Sequence, residues 1–551
     1  MLLSLIMNGI NASKTIIMTK IMNKYMNHVI ALATVLMGAV GLTSCSDPES
    51  IKDLVLDRVL SPTNISARVS ENLNIVVTWD EMTGATSYEL EGYIDSPDYD
   101  TRTPDITATT NETTYTFEKL IGETTYYIRV RAIDSENVSR NSKWVTVDRT
   151  TGAEQNMEKI KPADIESKSV SLYWTPGLAV DKIIISPTSA GSTAKTVEYE
   201  LSSEEIANGS ATISDLLEPE TSYKATLKYG DKTRGYQTFK TNIDFGDATI
   251  LTADGDWVTA IESAAAGTKF ALAPGNYELP EAKLKVSSSI IIGAQSSKDL
   301  PKLNTCIQVS GGASLQLYHL ILDGTGTDGS QAINFVEEGS YGTLTVDGCE
   351  VSNYKKGFYY VNVAAAISGI IIKNSIIHDI ECDGGDLFDC RKGYIAEVNL
   401  TNSTIYNTAK KRDIFRMDDA SSTLGGNPAY TVDHCTFYNV GCGEANYRIF
   451  YIRYANNTVK FTNNIVSGFN NKRGFANTSA TDGAPTLSNN YYFNTLNLVS
   501  KADGNSEAII WFDAEGTVLE EDPFNDAENA DFGLSTELLQ SYDAGDPRWI
   551  E

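Results

Sequence analysis

Cysteine is scarce in this 551-residue chain, and it is unevenly placed. Of seven cysteines, one lies at position 45 and none lies between there and position 306. No two cysteines form a C-x-x-C pair, and a chain that can build a large core does not need disulfides. We therefore interpret the remaining six as small buried hydrophobes: Cys306, Cys349, Cys382, Cys390, Cys435 and Cys442.

Basic residues and histidine are also in short supply. Lysine and arginine number 44 against 72 aspartates and glutamates, a net charge of −28. This acidity argues against nucleic acid as a partner, and it makes an anionic ligand awkward unless positive charge is concentrated locally. Only four histidines occur. His319, His378 and His434 recur in one repeated pattern, which favours structural roles over metal ligation.

Apolar residues at the spacing of an amphipathic helix are also rare in this sequence. Threonine, asparagine, serine, glycine, tyrosine and isoleucine dominate instead, in short runs of the kind that form β-strands. A chain of this length exceeds one compact core, so two to four domains are expected. The sequence therefore predicts an all-β, multidomain protein.

The N-terminus carries an export signal. Lys20 and Lys24 precede the apolar run "VIALATVLMGAVGL", which ends at "LTSC" with Cys45. That ending resembles a bacterial lipobox, and the acidic "CSDPES" resembles the surface-export signals of Bacteroidetes lipoproteins. The resemblance implies a signal peptide at 1–45, a lipidated Cys45 and an outer-membrane, cell-surface location, with residues 46–60 as a linker. An ordinary signal peptide is the alternative, and translation could start at Met22 or Met26.

Two β-sandwiches are expected next, at residues 61–152 and 153–242. The first has Trp79, Leu120 before a turn and an alternating strand from Tyr127 to Ala132, and the second has Trp174 and the series Leu-x-Pro-x-Thr-x-Tyr from Leu217 to Tyr223. Both resemble fibronectin type III modules, which implies spacers. Sugar binding through exposed aromatics such as Tyr93 or Tyr99 is the alternative role.

The sequence pattern of residues 248–500 predicts a solenoid. Trp257, Ile261 and Ala264 form one face of a capping helix, and six later segments share one template with anchors 26, 28, 32, 29 and 26 residues apart. Asparagine recurring at one turn implies a ladder of stacked amides. The capping helix, the asparagine ladder and the repeat length resemble those of the pectate-lyase superfamily. The resemblance implies a right-handed parallel β-helix, with residues 501–551 covering its last coil. The anchors are Gly348, Asn374, Asn402, His434, Asn463 and Asn489, with a similar segment at His319.

Charged residues alternate with apolar ones in three strands before these turns, "DLFDCR", "DIFRMD" and "RIFYIR". We expect the phenylalanines, Cys390, Met417 and Ile452 to point inward, and Leu387, Ile414, Ile449 and the polar residues to point outward. In-register stacking then predicts two columns, since neighbouring strands lie about 4.8 Å apart. Neutralisation of the charges by one another on a solvated face is one reading. The columns are Asp389, Arg416 and Tyr451, and Arg391, Asp418 and Arg453.

The other reading is catalysis on an acidic polysaccharide such as pectin. Asp386, Arg391 and Arg416 resemble the acidic strand, the base and the arginine of chondroitinase-B-like and alginate-lyase-like enzymes, although an arginine stands where those enzymes carry lysine. "DIFRMDD" and "VDHC" partly resemble pectate lyases, but Lys411 replaces an expected aspartate. The resemblance implies β-elimination with Arg391 or Arg416 as base or carboxylate clamp and Ca2+ at Asp383 and Asp386. The expected substrate contacts are Asp389, Asp418, Tyr451, Arg453 and Lys392.

A non-catalytic role would need only the surface that carries these charged columns. A surface protein that captures glycans, alone or with other glycan-uptake proteins, would use arginines and exposed aromatics without a base. Adhesion to another protein is a further alternative. The aromatic residues expected on this face are Tyr359, Tyr360, Tyr447, Tyr451, Tyr454 and Phe469.

Lipidation of Cys45 is directly testable. We expect the Cys45→Ala chain to lose incorporation of labelled palmitate in the native host, because the acyl chains attach at that thiol. Cys442→Ala is the control and should label like the unmodified chain. Undiminished labelling of Cys45→Ala would show that the "LTSC" segment is not a lipobox.

Overall fold

The computed structural model describes residues 57–327, 329–454, 456–477 and 484–550. The expected signal peptide, Cys45 and most of the linker lie outside these residues. Within the described part of the chain, no helix combines the length and the apolar character needed to cross a membrane.

The first domain is a sandwich of one three-stranded and one four-stranded antiparallel sheet. Trp79 and Tyr88 meet edge to face in its core, with ring centroids 5.2 Å apart. The buried Tyr126 hydroxyl accepts the N–H of Ile121 at 3.0 Å, which ties the turn to the core. The strands are Ser66–Ser70, Asn74–Thr78 and Thr114–Phe117 in one sheet, and Ser87–Ile94, Ile106–Thr110, Thr125–Ile133 and Val145–Thr150 in the other; Val138–Arg140 is a 3-10 helix.

The second domain is also a sandwich, with a four-stranded and a two-stranded sheet. The Tyr223 hydroxyl accepts the N–H of Glu218 at 2.9 Å, the same tie as in the first domain. The Leu-x-Pro-x-Thr-x-Tyr series therefore builds this corner. The strands are Lys182–Pro187, Val197–Glu200, Ser222–Tyr229 and Lys232–Lys240, then Val170–Tyr173 and Ser210–Ile213; Ser203–Asn208 is an α-helix and Pro162–Asp164 a 3-10 helix.

A parallel β-solenoid of about nine turns follows. The coils contribute strands to three faces, which surround one continuous apolar core. Face A contains Thr249–Leu251, Lys269–Leu272, Ile290–Ala294, Leu315–Tyr318, Gly339–Asp347, Ala365–Lys373, Tyr394–Ile395, Glu397–Thr401, Ala429–Asp433, Thr458–Thr462 and Thr486–Ser488.

Faces B and C belong to one sheet, which divides at the long strands Asn276–Val286 and Lys302–Val309. Face B continues through Ile321–Asp323, Glu350–Ser352, Ile376–His378, Thr404–Tyr406, Thr436–Tyr438, Ile465–Ser467, Tyr491–Phe493 and Thr517–Val518. Face C continues through Ile333–Phe335, Tyr359–Val361, Phe388–Cys390, Phe415–Met417 and Phe450–Ile452.

The coils stack in register through their inward side chains. The rings of Phe388, Phe415 and Phe450 form one stack, with successive centroids 4.8 and 5.2 Å apart. Their inward direction was predicted correctly. The prediction that Leu387, Ile414 and Ile449 point outward was wrong: each is at most 2% exposed. These residues precede the strands, at the corner where the alternation of a straight strand does not apply.

The predicted ladder occupies the corner between faces A and B. All seven anchor residues have a positive φ, from 48° to 65°, in the left-handed region that asparagine and glycine adopt most readily. Asn402 donates its amide to Asn374 at 3.4 Å, and Asn489 donates to Asn463 at 2.8 Å. The repeated asparagines therefore serve both the backbone conformation and the contact between coils.

A second series of left-handed residues went unpredicted. It follows the six anchors from Gly348 to Asn489 by five positions and ends six of the face B strands, so two bends enclose each of these three-residue strands. The amide of Asn439 donates to Asn407 at 3.4 Å. Its sequence signal is the asparagine, aspartate or glycine that closes segments such as "VSN", "IHD" and "IYN". The members are Asn353, Asp379, Asn407, Asn439, Gly468 and Asn494, with φ from 46° to 80°.

The two ends of the solenoid carry different elements. At the N-terminal end, helix Trp257–Glu262 buries Trp257 and Ile261, as the spacing predicted. At the other end, Thr517–Val518 extends face B by one strand. The tail then runs back along face B, where the Trp549 indole N–H donates to the Thr404 hydroxyl at 2.7 Å. Further tail elements are Phe524–Asp526, Asp531–Leu534, 3-10 helices Ala527–Asn529 and Pro547–Trp549, and α-helix Glu537–Gln540; Ser421–Leu424 is a helix within the solenoid.

Replacing a ladder residue tests the role of the left-handed corner. Asn402 has φ 48° and contacts Asn374. We expect Asn402→Ala to lower the free energy of unfolding of the solenoid by about 1–2 kcal/mol, because alanine strains this conformation. Asn402→Gly should cost less, since glycine adopts it freely. Urea unfolding measures both variants, and an alanine variant as stable as the unmodified chain would contradict this role.

Candidate functional site

The two predicted columns exist on face C. Backbone pairing places Asp389 beside Arg416 and Arg416 beside Tyr451. The second column continues the same ladder: the Asp418 N–H donates to Cys390, and the Arg453 N–H donates to Met417, at 2.9 and 2.7 Å. Residues 27 and 35 positions apart in sequence therefore meet on consecutive coils.

Ion pairs join the columns along each strand as well as across strands. Arg391 Nη2 lies 2.8 Å from Asp389 Oδ2, and Arg416 Nη2 lies 2.8 Å from Asp418 Oδ2. Arg453 Nη2 contacts the same Asp418 oxygen at 3.1 Å. The charges in the columns therefore largely neutralise one another, as one of the two readings anticipated.

A third column lies beneath the first two, and the sequence reading missed its arrangement. Asp386, Asp413 and Arg448 precede the three strands, and each is at most 3% exposed. Asp386 accepts the N–H of Asp413 at 3.2 Å, and Asp413 accepts the N–H of Arg448 at 3.0 Å and its Nε at 2.7 Å. The signal was present as a charged residue directly before each pair of large apolar residues in "DLF", "DIF" and "RIF".

The buried column supports the surface arginines. Arg416 Nη1 reaches Asp386 Oδ2 at 3.1 Å, and Arg391 Nη2 lies 3.9 Å from that oxygen. Both guanidinium groups therefore converge on one carboxylate and lie on the same side of the solenoid.

Burial and pairing shift the pKa of these groups. Burial raises the pKa of Asp413 to about 6, although Arg448 opposes the shift, and burial also raises the pKa of Asp389. The hydrogen bond with Asp389 raises the pKa of Arg391. Burial would lower the pKa of Arg416, but bonds with Asp418 and Asp386 raise it overall. Both arginines are therefore held in the charged form, which suits anion binding better than proton abstraction.

The expected calcium ligands do not fit a metal site. Asp386 uses one oxygen for the Asp413 N–H and the other for Arg416, while Asp383 is exposed. Among the residues that the structure describes, no three acidic, histidine or cysteine side chains gather in a way that could hold a metal ion. We derive no chemical step through calcium, which stays a prediction.

Aromatic rings flank the guanidinium groups. Tyr451 lies close to three of them, with distances from its ring centre of 5.4 Å to Arg416, 4.0 Å to the buried Arg448 and 5.4 Å to Arg453. Tyr360 lies 5.6 Å from Arg391. Both rings are half-buried, so their open surface lies beside positive charge.

Other aromatics expected on this face are not available there. Tyr359, Tyr454 and Phe469 are at most 1% exposed, so the prediction that they are surface groups was wrong. Tyr359 is the first, inward residue of its strand, and its ring is tilted against that of Phe388, with centroids 5.5 Å apart. Tyr447 is half-buried beside Arg412, and Lys392 is exposed. Tyr93 of the first sandwich is 1% exposed, which leaves Tyr99 half-buried.

The raised pKa of Asp413 predicts a pH dependence of stability. Its folded value of about 6 exceeds the unfolded value of about 3.9, so the folded chain binds more protons between these limits. The free energy of unfolding should therefore fall as the pH rises from about 4 to about 6, by about 1.4 kcal/mol for each unit of pKa difference.

Chemical unfolding across this pH range measures the slope. Asp413→Asn should flatten it, because the titrating carboxyl is gone while an acceptor for Arg448 remains. Asp299→Asn removes an exposed carboxyl of the solenoid and is the control. An unchanged slope in Asp413→Asn would contradict the assignment.

Three family models match parts of the chain. Residues 60–148 match "Fibronectin type III domain", so the N-terminal sandwich is a fibronectin type III domain. Residues 275–408 match "Domain of unknown function (DUF4957)", and residues 430–549 match "Domain of unknown function (DUF5123)". These two models divide the solenoid within face C, between the strands of Asp389 and Tyr451. No curated protein matches the chain.

Solved structures that resemble the chain are fibronectin type III domains. A two-domain segment of chicken tenascin is 16% identical, covers 33% of this chain and 99% of its own, and has a TM-score of 0.24. The fn3 domain of human collagen alpha-1(XX) is 15% identical and covers 21% and 95%, with a TM-score of 0.15. A structure titled "Structure of FN3tt mut" is 25% identical and covers 16% and 93%, with a TM-score of 0.14. The chain is thus an all-β protein in which a fibronectin type III domain precedes a parallel β-solenoid.

Proposed function

We propose that face C binds an acidic polysaccharide without cleaving it. The observation that carries this proposal is the row of guanidinium groups from Arg391, Arg416 and Arg453 on three consecutive coils. Their pairing with aspartates orients them before a ligand arrives, which lowers the cost of ordering them on binding. A planar guanidinium pairs with a carboxylate through two parallel hydrogen bonds.

Binding capacity remains after the internal ion pairs are counted. The side chains of Arg391 and Arg453 are 30% and 41% exposed. Lys392 adds an exposed positive charge next to Arg391. A guanidinium carries five N–H donors, so each arginine can hold an aspartate and still meet an anionic sugar.

The row also suits an extended polymer. Coils repeat about every 4.8 Å, so a chain that runs along the solenoid axis meets one guanidinium for each coil. Tyr360 and Tyr451 offer ring surface at the two ends of the row. Several weak contacts on one chain add up to useful affinity.

Lyase activity has less support from the same geometry. A base must accept a proton, but pairing with aspartates raises the pKa of Arg391 and Arg416. The calcium that would acidify the sugar proton lacks a fitting ligand set at Asp383 and Asp386. Capture is therefore the function that we propose, on a lipid-anchored protein of the outer-membrane surface that passes glycan to uptake partners. The sandwiches would act as spacers between anchor and solenoid.

Substitution of Arg453 tests capture with little damage to the fold, because Asp418 keeps Arg416 as a partner. We expect Arg453→Gln to weaken binding of polygalacturonate by about 3- to 10-fold, from loss of a charge-assisted hydrogen bond. The affinity of the unmodified chain should also fall steeply with salt. Calorimetric titration at low and moderate salt measures both effects.

Arg140→Gln is the matched control, since Arg140 is an arginine of similar exposure that pairs with Asp134 in the first domain. It should bind polygalacturonate like the unmodified chain. A panel of uronic acid polymers, monitored for near-ultraviolet absorbance with and without chelator, separates capture from lysis. A rise in absorbance would overturn capture in favour of a lyase, and equal affinity of Arg453→Gln would remove face C as the binding surface.

A further inference from the structure

The second sandwich contains a polar cleft of about 540 Å3 that is separate from face C. Its floor is the outer surface of the two-stranded sheet. Val170 and Leu172 point into the core, so Ser171 and Tyr173 lie on the other side of the sheet, where Ser171 is 5% exposed and pairs with the exposed Thr212 on the neighbouring strand. The Ser171 and Thr212 hydroxyls lie 3.0 Å apart.

A short helix forms one wall of this cleft. In the first sandwich, strands Ile106–Thr110 and Thr114–Phe117 are joined directly, whereas the second sandwich inserts helix Ser203–Asn208 at the equivalent connection. Ser202 and Glu205 cap the start of this helix reciprocally. Gly209 ends it with φ 68°, and a Cβ there would lie 2.4 Å from the backbone oxygen of Trp174. The wall is therefore fixed in place.

Aromatic and acceptor groups meet inside the cleft. Tyr173 is 38% exposed, and the Tyr199 hydroxyl donates to Glu205 at 2.8 Å. Glu204 and Asn208 lie one turn apart on the exposed helix and also line the cleft. No lysine or arginine occurs among the described residues that line it, so the cleft disfavours anions and differs in chemistry from face C.

We propose that this cleft binds an uncharged sugar unit of a polysaccharide. A tyrosine ring offers a flat apolar surface for the C–H face of a pyranose. Carboxylate, amide and hydroxyl oxygens accept hydrogen bonds from sugar hydroxyls, and carboxylate acceptors give the stronger ones. The volume lies within the range of small-molecule sites, about 300–1,000 Å3. The second sandwich is thus a binding module as well as a spacer.

Titration of the full chain with neutral hexasaccharides tests the site. Saturation-transfer NMR and calorimetry with linear hexaoses of glucose, galactose, mannose and xylose should reveal at least one ligand. Tyr173→Ala should weaken binding of that ligand 10-fold or more, because the stacking surface is lost. The matched control is Tyr229→Ala, another exposed tyrosine of the same sandwich that lies outside the cleft, and it should bind within 2-fold of the unmodified chain.

The outcomes separate this site from face C. Tyr173→Ala should leave polygalacturonate binding unchanged, and Arg453→Gln should leave hexaose binding unchanged. Glu204→Gln and Asn208→Ala, on the exposed helix, provide a second test if Tyr173→Ala unfolds. Each should weaken binding of the hexaose at least 3-fold. Absence of binding to every hexaose, full affinity in these variants, or binding of a lysine-rich peptide in place of sugar would overturn the proposal.

Discussion

One left-handed bend before and one after each of six face B strands, from Glu350–Ser352 to Tyr491–Phe493, set the register of the solenoid. An ordinary residue adopts that backbone conformation at a cost of about 1–2 kcal/mol, whereas glycine and asparagine adopt it readily. Asn374, Asn402 and Asn463 therefore recur at the first bend, and their amides also bond to the neighbouring coil. Because these coils bend at the same two points, the third strand of each coil that has one begins at the same height in face C.

The register of the strands on face C decides which side chains point into the core and which reach the surface. A slip of one residue would turn the phenylalanine stack outward and bury the charged columns. In the observed register, Phe415 packs between Phe388 and Phe450, and Arg416 lies outside with Asp389 and Tyr451 as neighbours. The same apolar stack that stabilises the core therefore gathers the arginines into one row.

Charge balance explains how such a row persists in an acidic protein. A buried carboxylate needs a partner, and Asp386 finds one in Arg416 while Asp413 finds one in Arg448. These buried pairs fix the guanidinium groups but leave part of Arg391 and Arg453 open to solvent. Face C and the cleft of the second sandwich thus offer opposite chemistries, arginine donors on one and carboxylate and hydroxyl acceptors in the other.

The sequence alone determined the class of fold and much of the solenoid. Period, anchor residues, inward phenylalanines and the capping helix all follow from local patterns, because a left-handed bend and an alternating strand each restrict the residues that they accept. The columns were also predictable, since in-register stacking makes residues that are one repeat apart in sequence neighbours on adjacent coils. Only the tertiary structure decided which charges are satisfied. Asp386, Asp413 and Arg448 form a buried column because a corner turns them inward, and the helix Ser203–Asn208 becomes the wall of a cleft only where it meets Tyr173. Such contacts depend on where distant segments end in space, which local patterns do not encode.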